Sequence, residues 1–306
     1  MTWLILAFLS AALLGCYDSF KKQALRENAV IPVLFFNTLF SSLIFLPFII
    51  LSAQSDILDG SIFHVDSGGW EMHKYIVLKA VLVLSSWILG YFGLKHLPLT
   101  IVGPINATRP VMVLVGAMLV FGERLNVWQW AGVLLTIVSY VLLRLSGKKE
   151  GIDFRHNHWI WMIIGAVILG AFSGLYDKYL MSPVESGGVG LDRMMVQSWY
   201  NIYQCFIMLT MLLVLWWPKH HETTPFHWHW SIICVSLFLS TADFMYFYSL
   251  SNPDAMISIV SMIRRGSVLV SFVFGALFFH EKNLRAKAFD LALVFLGMIF
   301  LYIGSK

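Results

Sequence analysis

Ten apolar runs, each 19 to 25 residues long, follow one another along the chain and are separated by polar segments. A helix needs roughly 20 apolar residues to cross about 30 Å of hydrocarbon, and its internal hydrogen bonds satisfy the backbone polar groups there. The pattern therefore predicts an all-α integral membrane protein with ten transmembrane helices. They lie near residues 3–22, 31–53, 75–95, 99–121, 127–145, 158–181, 194–217, 228–250, 255–279 and 285–304.

Composition supports this prediction. Hydrophobic residues make up 58% of the 306 residues and charged residues only 12%, with a mean hydropathy of +0.76. Soluble domains usually carry about 25% charged residues, so a water-soluble domain is excluded. The net charge of +4 is scattered, without the basic stripe typical of nucleic-acid binding. We expect the lipid bilayer, and no nucleic acid, as a partner.

No cofactor, metal site or catalytic set is evident. Cys16, Cys205 and Cys234 lie inside apolar runs and have no disulfide or zinc spacing. The histidines between His220 and His229 match no zinc motif and lie in a predicted interfacial loop. We therefore expect no cofactor, no metal and no enzymatic activity.

Two local patterns occur twice at almost the same spacing. Gly15-Cys16-Tyr17-Asp18 and Gly174-Leu175-Tyr176-Asp177 are 159 residues apart, and the polar turns centred on Glu123 and Glu281 are 158 residues apart. Two matches at one period indicate an internal duplication. We predict one five-helix repeat at 1–147, a linker at 148–157 and a second repeat at 158–306.

Looser matches support the same duplication. An aromatic pair precedes Asn37 in the second predicted helix and Asn201 in the seventh, and Tyr91-Phe92 in the third resembles Tyr246-Phe247 in the eighth. Because five is odd, the second repeat must enter the membrane from the opposite side. Such inverted repeats are typical of secondary transporters, whose substrate sites lie between the repeats near the bilayer midplane.

The turn after the fourth predicted helix carries a family resemblance. Residues 108–143, with Pro110, Gly116, Gly122-Glu123-Arg124-Leu125, Gln129 and Gly132, resemble the motif that closes each half of EamA-type members of the drug/metabolite transporter superfamily. The second half matches less well: Val268 replaces the proline, Lys282 the arginine, and Asp290 falls near the last glycine. The resemblance implies a transporter. Its motif is a helix-junction signature, so it leaves the substrate open.

The orientation in the membrane stays open. Twelve Lys and Arg residues fall on the side of the loops after the odd-numbered predicted helices, against five on the other side, which by the positive-inside rule places both termini outside the cytoplasm. The family resemblance implies both termini inside. Lys21 and Lys22 would weaken the count if they belonged to a cavity.

Several charged residues fall within or at the ends of the apolar runs. A charge at the bilayer centre costs about 2.5–3.5 kcal/mol on insertion scales, so such residues usually face a cavity or a partner. They are Asp18, Lys21, Lys79, Arg109, Asp177, Lys178, Asp243, Arg264 and Arg265.

Arg109 and Arg264 are the best candidates for binding substrate. Arg109 lies in the middle third of the fourth run, before Pro110, which is expected to bend the helix. The fourth and ninth helices would face each other across the pseudo-axis, and guanidinium binds carboxylate or phosphate through a bidentate fork. The alternative is structural pairing with Asp243 or Asp177.

Aromatic and amide side chains are further candidates for the substrate site. Trp87, Tyr91 and Tyr246 would supply apolar walls with polar tips, with lipid-facing packing as the alternative. Asn37 and Asn201 would either hydrogen-bond substrate or tie helices together.

Asp18 and Asp177 are the candidate coupling residues, binding or exchanging a proton. Their repetition in a Tyr-Asp pair favours this role, and the alternative is a helix end wetted by lipid headgroups. Glu123 and Glu281 lie at helix junctions, and we interpret them as turn-fixing residues.

Together these features predict a secondary transporter that moves a small polar metabolite, amino-acid-like or an organic anion, by alternating access. A cavity would be lined by the first, third, fourth, sixth, eighth and ninth helices. One alternative is an antiporter of phosphorylated or nucleotide-linked compounds; another is a membrane scaffold or sensor without transport. We expect a multi-pass protein of a cell membrane, a bacterial inner membrane in particular, with protons as the coupling ion.

Overall fold

The computed structural model describes residues 2–97, 105–106, 108–146, 157–267, 270 and 284–304. These residues form ten α-helices and, within the described ranges, no strand. The helices are α1 Thr2–Ala24, α2 Val30–Gln54, α3 Trp70–His96, α4 Arg109–Val120, α5 Val127–Ser146, α6 His158–Met181, α7 Arg193–Met211, α8 Ser231–Leu250, α9 Ile257–Arg265 and α10 Leu284–Gly304.

Six helices are long and apolar enough to cross a membrane: α1, α2, α3, α6, α8 and α7 with its extension to Lys219. Shorter apolar helical stretches cover Arg109–Val120, Val127–Val138 and Phe295–Gly304. The protein is therefore a multi-pass membrane protein, and ten spans stay a prediction. Parts of the predicted fourth and ninth helices lie outside the described residues, as do Val268, Glu281 and Lys282.

Local sequence explains where several helices begin. The Asp192 carboxylate accepts hydrogen bonds from the backbone N–H groups of Met194 (2.7 Å) and Met195 (3.0 Å) at the start of α7, and Asn157 caps α6 in the same way. Pro110 lies in the first turn of α4, where a missing N–H removes no helical hydrogen bond. It therefore lies at the start of the described helix; residues 98–104 and 107 lie outside the described residues, so the expected bend stays a prediction.

The helices pack in a pattern that connects the two halves of the chain. α1 packs on α8 and α3 on α6; α2 contacts α7 and α8, and α3 contacts α7. α4 contacts α6 and α9, α1 contacts α9, and α5 packs along α10. If each helix of the first five is exchanged with its counterpart in the last five, this set of contacts maps onto itself.

Loops and helix ends meet at two opposite faces of the bundle. At the first, the Ser249 hydroxyl donates to the Trp3 carbonyl (2.7 Å) and Asn126 donates to the Gly304 carbonyl (2.5 Å). At the other, Asn28 donates to the His227 carbonyl (2.7 Å), and His96 stacks on Trp159 with ring centroids 3.7 Å apart. We call these the terminal face and the distal face.

Glycines bring α5 and α10 into backbone contact. A Cβ atom on Gly132 would lie 2.7 Å from the carbonyl oxygen of Gly297. Small residues are the usual means of close helix packing in membranes, where van der Waals contact replaces the hydrophobic effect.

Candidate functional site

A cavity of about 290 Å³ lies among the helices and is lined by many ionised side chains. It is bounded by α1, α3, α4, α6, α8 and α9, which are the six helices predicted from the sequence, with Tyr200 of α7 in addition. Five basic and three acidic side chains line it: Lys21, Lys79, Arg109, Arg264, Arg265, Asp18, Asp177 and Asp243. Charge at this depth is costly, so the cavity is the candidate functional site.

Two ion pairs, one buried and one partly buried, line part of this cavity, and a tyrosine hydroxyl donates to the carboxylate of each. Lys79 pairs with Asp177, which also accepts a hydrogen bond from the Tyr246 hydroxyl (3.1 Å). Each pair joins different helices, so it satisfies its own charges and fixes the helices that carry them.

The second pair is formed by Arg264 and Asp243, whose nearest atoms are 2.7 Å apart, and the Tyr200 hydroxyl donates to the same carboxylate (3.0 Å). The Arg264 guanidinium also stacks over the Tyr246 ring, with its carbon 3.9 Å from the centroid. Arg264 lines the cavity as predicted, and it also makes the structural pairing with Asp243 that was the alternative.

Arg109 reaches across the cavity wall to α6. Its Nη2 atom donates to the Gly170 carbonyl (2.7 Å), and a Cβ atom on Gly170 would lie 2.7 Å from the guanidinium carbon. Among the described residues, no carboxylate lies within 4.0 Å of this guanidinium. Arg264 and Arg265 are close enough to repel its charge. Arg109 is thus a cavity cation held in place by a neutral group.

Asp18 and Asp177, the repeated aspartates, differ in exposure. Asp18 is exposed in the cavity, where the Ser267 side chain hydrogen-bonds to it and the charge of Lys21 attracts it. Asp177 is 5% exposed and ion-paired. Equivalent positions in the sequence therefore occupy different environments.

The predicted aromatic walls are present in part. Trp87, Tyr91 and Tyr246 line the cavity. Tyr91 shares a hydrogen bond with the Tyr17 hydroxyl (3.0 Å), and the Lys21 ammonium lies 4.0 Å from the centroid of the Tyr91 ring. These contacts place aromatic faces beside cations at the mouth of the cavity.

Asn37 and Asn201 do not line the cavity. Both are buried, at 1% and 3% exposure. The backbone carbonyl of Asn201 accepts from the Ser42 hydroxyl of α2 (2.8 Å), and the backbone carbonyl of Asn37 accepts from the Ser236 hydroxyl of α8 (3.1 Å). Their surroundings are helix interfaces, but the Asn201 side chain donates to the Gln197 carbonyl of its own helix (2.9 Å), so its amide does not tie helices together. A substrate role for them stays a prediction.

Several cavity residues were not predicted as substrate-binding or coupling residues: Tyr17, Lys79, Tyr200, Asp243 and Arg265. Lys79, Asp243 and Arg265 carried a usable signal, a charge inside an apolar run. The tyrosines carried none, because aromatic residues are frequent along every helix. Within the described ranges, no cluster of three His, Cys, Asp or Glu side chains is arranged to hold a metal.

The helices and the ionised cavity define a multi-pass membrane protein with a polar site inside the bundle. Residues 1–145 match the model of the EamA-like transporter family, which belongs to the drug/metabolite transporter superfamily. The resemblance stated from the sequence is therefore confirmed over residues 1–145, and the match suggests a membrane transporter of the drug/metabolite type.

Solved structures extend the comparison to the whole chain. One described only as "Crystal structure of protein" aligns over 99% of this chain and 99% of its own, with a TM-score of 0.71 and 13% sequence identity. At that identity the likeness concerns the fold alone. No curated protein matches the sequence.

Proposed function

We propose that the protein is a secondary transporter that moves a small anionic or amino-acid-like metabolite across a cell membrane by alternating access. In this proposal, 1–147 and 158–306 are inverted five-helix repeats joined by 148–157, and the substrate binds in the cavity between them. A bacterial inner membrane is the membrane proposed.

The proposal rests mainly on the hydrogen-bond partners of Arg109. Lys79 and Arg264 each have a carboxylate partner, whereas Arg109 has only the Gly170 carbonyl as its hydrogen-bond acceptor among the described residues. An anionic group on the substrate would supply the missing countercharge through charge-assisted hydrogen bonds. Arg264 and Arg265 add to the positive potential at the same point.

The packing pattern supports the inverted repeats. Contacts that map onto themselves when the halves are exchanged are what a pseudo-two-fold axis produces, and such an axis places the site between the halves. The tyrosines and aspartates repeated in sequence both lie on this cavity or beside it. A scaffold or sensor would have no need of an ionised cavity.

The substrate is identified by counterflow into proteoliposomes. Amino acids, organic acids and sugar phosphates are tested in turn. With that substrate, Arg109→Ala is expected to reduce binding at least tenfold, because a charge-assisted bond contributes about 1.5–3 kcal/mol. Arg26→Ala, at an exposed position outside the cavity, is the control and should bind as wild type. Unchanged binding in Arg109→Ala protein would remove Arg109 from the site.

An antiporter of phosphorylated or nucleotide-linked compounds is the second candidate. The excess of five basic over three acidic cavity side chains favours it, because a phosphate brings more negative charge than a carboxylate. Strict exchange would show as uptake of labelled phosphate ester only when the vesicles contain a counter-substrate.

A further inference from the structure

A carboxylate from one half of the chain caps a helix of the other half. Glu123, in the turn after α4, accepts hydrogen bonds from the backbone N–H groups of Ile257 (2.7 Å) and Ser258 (3.2 Å), and from the Ser258 hydroxyl. Met256, the N-cap residue of α9, makes no side-chain cap hydrogen bond. The first turn of α9 therefore depends on Glu123 for the acceptors that a helix start requires.

A second contact holds the same segment from α6. Lys178, which is 9% exposed, donates from its ammonium to the Ala255 carbonyl (2.6 Å), and Glu123 is near enough to attract this charge. We call Glu123, Lys178, Ala255, Ile257 and Ser258 the terminal latch. It joins α4, α6 and the start of α9 at the terminal face.

The latch lies between the cavity and the terminal face. Ile257 lines the cavity and is 1% exposed, and the neighbouring Asp177 is also buried. At the other end, Asp18 is exposed, and Lys21 and Asn106 are partly exposed. The cavity is thus open toward the distal face and closed toward the terminal face.

We propose that the terminal latch is a gate, and that breaking the contact of Glu123 with α9 opens the cavity to the terminal face. This inference rests on the proposed transport function. When the gate opens, water can solvate the freed N–H groups and the Lys178 ammonium. Glu123 therefore stabilises the closed gate more than the open one, and its loss shifts the population toward the open state.

Side-specific cysteine labelling tests the gate without any substrate. The parent protein carries alanine in place of Cys16, Cys205 and Cys234. Ser261 lies on α9 in the cavity wall, and the variant Ser261→Cys reports whether a membrane-impermeant thiol reagent reaches the cavity. Right-side-out and inverted vesicles present the two faces separately. Val184→Cys, exposed at the terminal face, and Arg26→Cys, exposed at the distal face, identify which face each preparation presents.

In Glu123→Ala protein, labelling of the reporter from the terminal face is expected to rise about tenfold, as the loss of one charge-assisted hydrogen bond implies. Labelling from the distal face is expected to fall by the fraction of molecules that has moved to the state open to the terminal face. Glu123→Gln, which keeps one acceptor oxygen, should give an intermediate shift. Glu185→Ala, an exposed glutamate of the α6–α7 turn, is the matched control and should label as the parent.

Reciprocal changes at the two faces support the gate. A rise at the terminal face without a fall at the distal face indicates local loosening and overturns the proposal, as does unchanged labelling. If Glu123→Ala fails to fold, Lys178→Met breaks the latch from α6 and must give the same reciprocal shift. Counterflow by wild-type protein is measured separately, so transport with unchanged labelling rejects the gate alone, and reciprocal labelling without transport rejects the proposed function alone.

Discussion

The carboxylate of Asp177 accepts hydrogen bonds from residues of two other helices, Lys79 on α3 and Tyr246 on α8. Taking one member of a buried ion pair away leaves the other charge without a partner, which costs more than replacing both. The interaction therefore determines which single substitutions the bundle tolerates.

Lys79→Met is expected to lower the free energy of unfolding by about 3–5 kcal/mol, because Asp177 stays buried without its partner. The double variant Lys79→Met/Asp177→Asn should recover most of this loss, since the amide oxygen still accepts from Tyr246. Thermal unfolding in detergent measures both. Lys74→Met, which breaks an exposed pair with Glu71, is the control and should change stability by at most about 1 kcal/mol. An equal loss of stability in Lys79→Met and in the double variant would contradict the interpretation.

The sequence indicated which charges lie at membrane depth, but not which charges meet. Lys79 and Asp177 are 98 residues apart, and hydropathy contains no information about such partners. It likewise located Asn37 and Asn201 within helices without indicating which side of each helix faces the cavity. The position of Arg109 beside a cavity could be predicted, because an arginine inside an apolar run usually faces either a cavity or a partner.

At the scale of helices, the contact of α5 with α10 depends on glycine. The Gly132 Cα faces the Gly297 carbonyl, and an added Cβ atom would also lie 3.0 Å from the backbone nitrogen of Leu301. Backbone atoms cannot turn aside as a side chain can, so the two helices would have to separate.

Gly132→Ala is therefore expected to destabilise the protein by about 1–3 kcal/mol, as overpacking does, even though alanine favours helix formation. Gly165→Ala is the matched control within α6. There the added Cβ atom would lie 3.3 Å from a methyl group of Leu89, which can rotate, so stability should be unchanged or higher. Equal melting temperatures for the two variants would show that α5 and α10 are not closely held in the membrane.

The apolar runs predicted the helix positions closely. Helices α1, α2 and α6 begin and end within a few residues of the predicted limits, and α3 ends within one residue of its predicted limit. The start of α3 at Trp70 precedes the predicted start, because the mostly polar residues 71–74 before the apolar run are already helical. The position of Pro110 in the first turn of α4 could not be predicted in this way, because hydropathy shows that a run continues, while backbone hydrogen bonding decides where the helix starts.

At the scale of the whole molecule, the two repeated aspartates differ in which face of the bundle they lie near and in how exposed they are. Asp18 is exposed toward the distal face, and Asp177 is enclosed near the terminal face. In an inverted-repeat transporter the opposite conformation would exchange these environments. A proton taken up by Asp18 could then be carried through the transition.

If transport is coupled to protons in this way, Asp18→Asn should keep substrate exchange at equal pH but lose acceleration by a pH gradient. The reason is that an amide cannot bind and release the proton. Uptake into proteoliposomes is measured with and without an imposed gradient, and Asp56→Asn, in the exposed loop after α2, is the control. Full gradient dependence in Asp18→Asn protein would exclude Asp18 as the coupling residue.

A duplication could be predicted from the sequence because short motifs recur at a fixed spacing, and it stays a prediction. The charged side chains of the cavity could not be predicted from the repeated motifs. Lys79 and Asp243 have no charged counterpart at the offset of 155 residues that relates Tyr91 to Tyr246. The positive-inside count also changes, because Lys21 lines the cavity and no longer counts as a loop residue.

The hydrogen bond from Arg109 to Gly170 has a consequence for stereochemistry. One edge of the planar guanidinium is occupied by the carbonyl, so a planar anionic group must approach the remaining edge from a single direction. Discrimination between enantiomers requires at least three points of contact, and a chiral molecule held at this edge would also meet Trp87 and Tyr91, which line the same cavity. Under the proposed function, the protein should distinguish enantiomers although only one arginine contacts the anionic group.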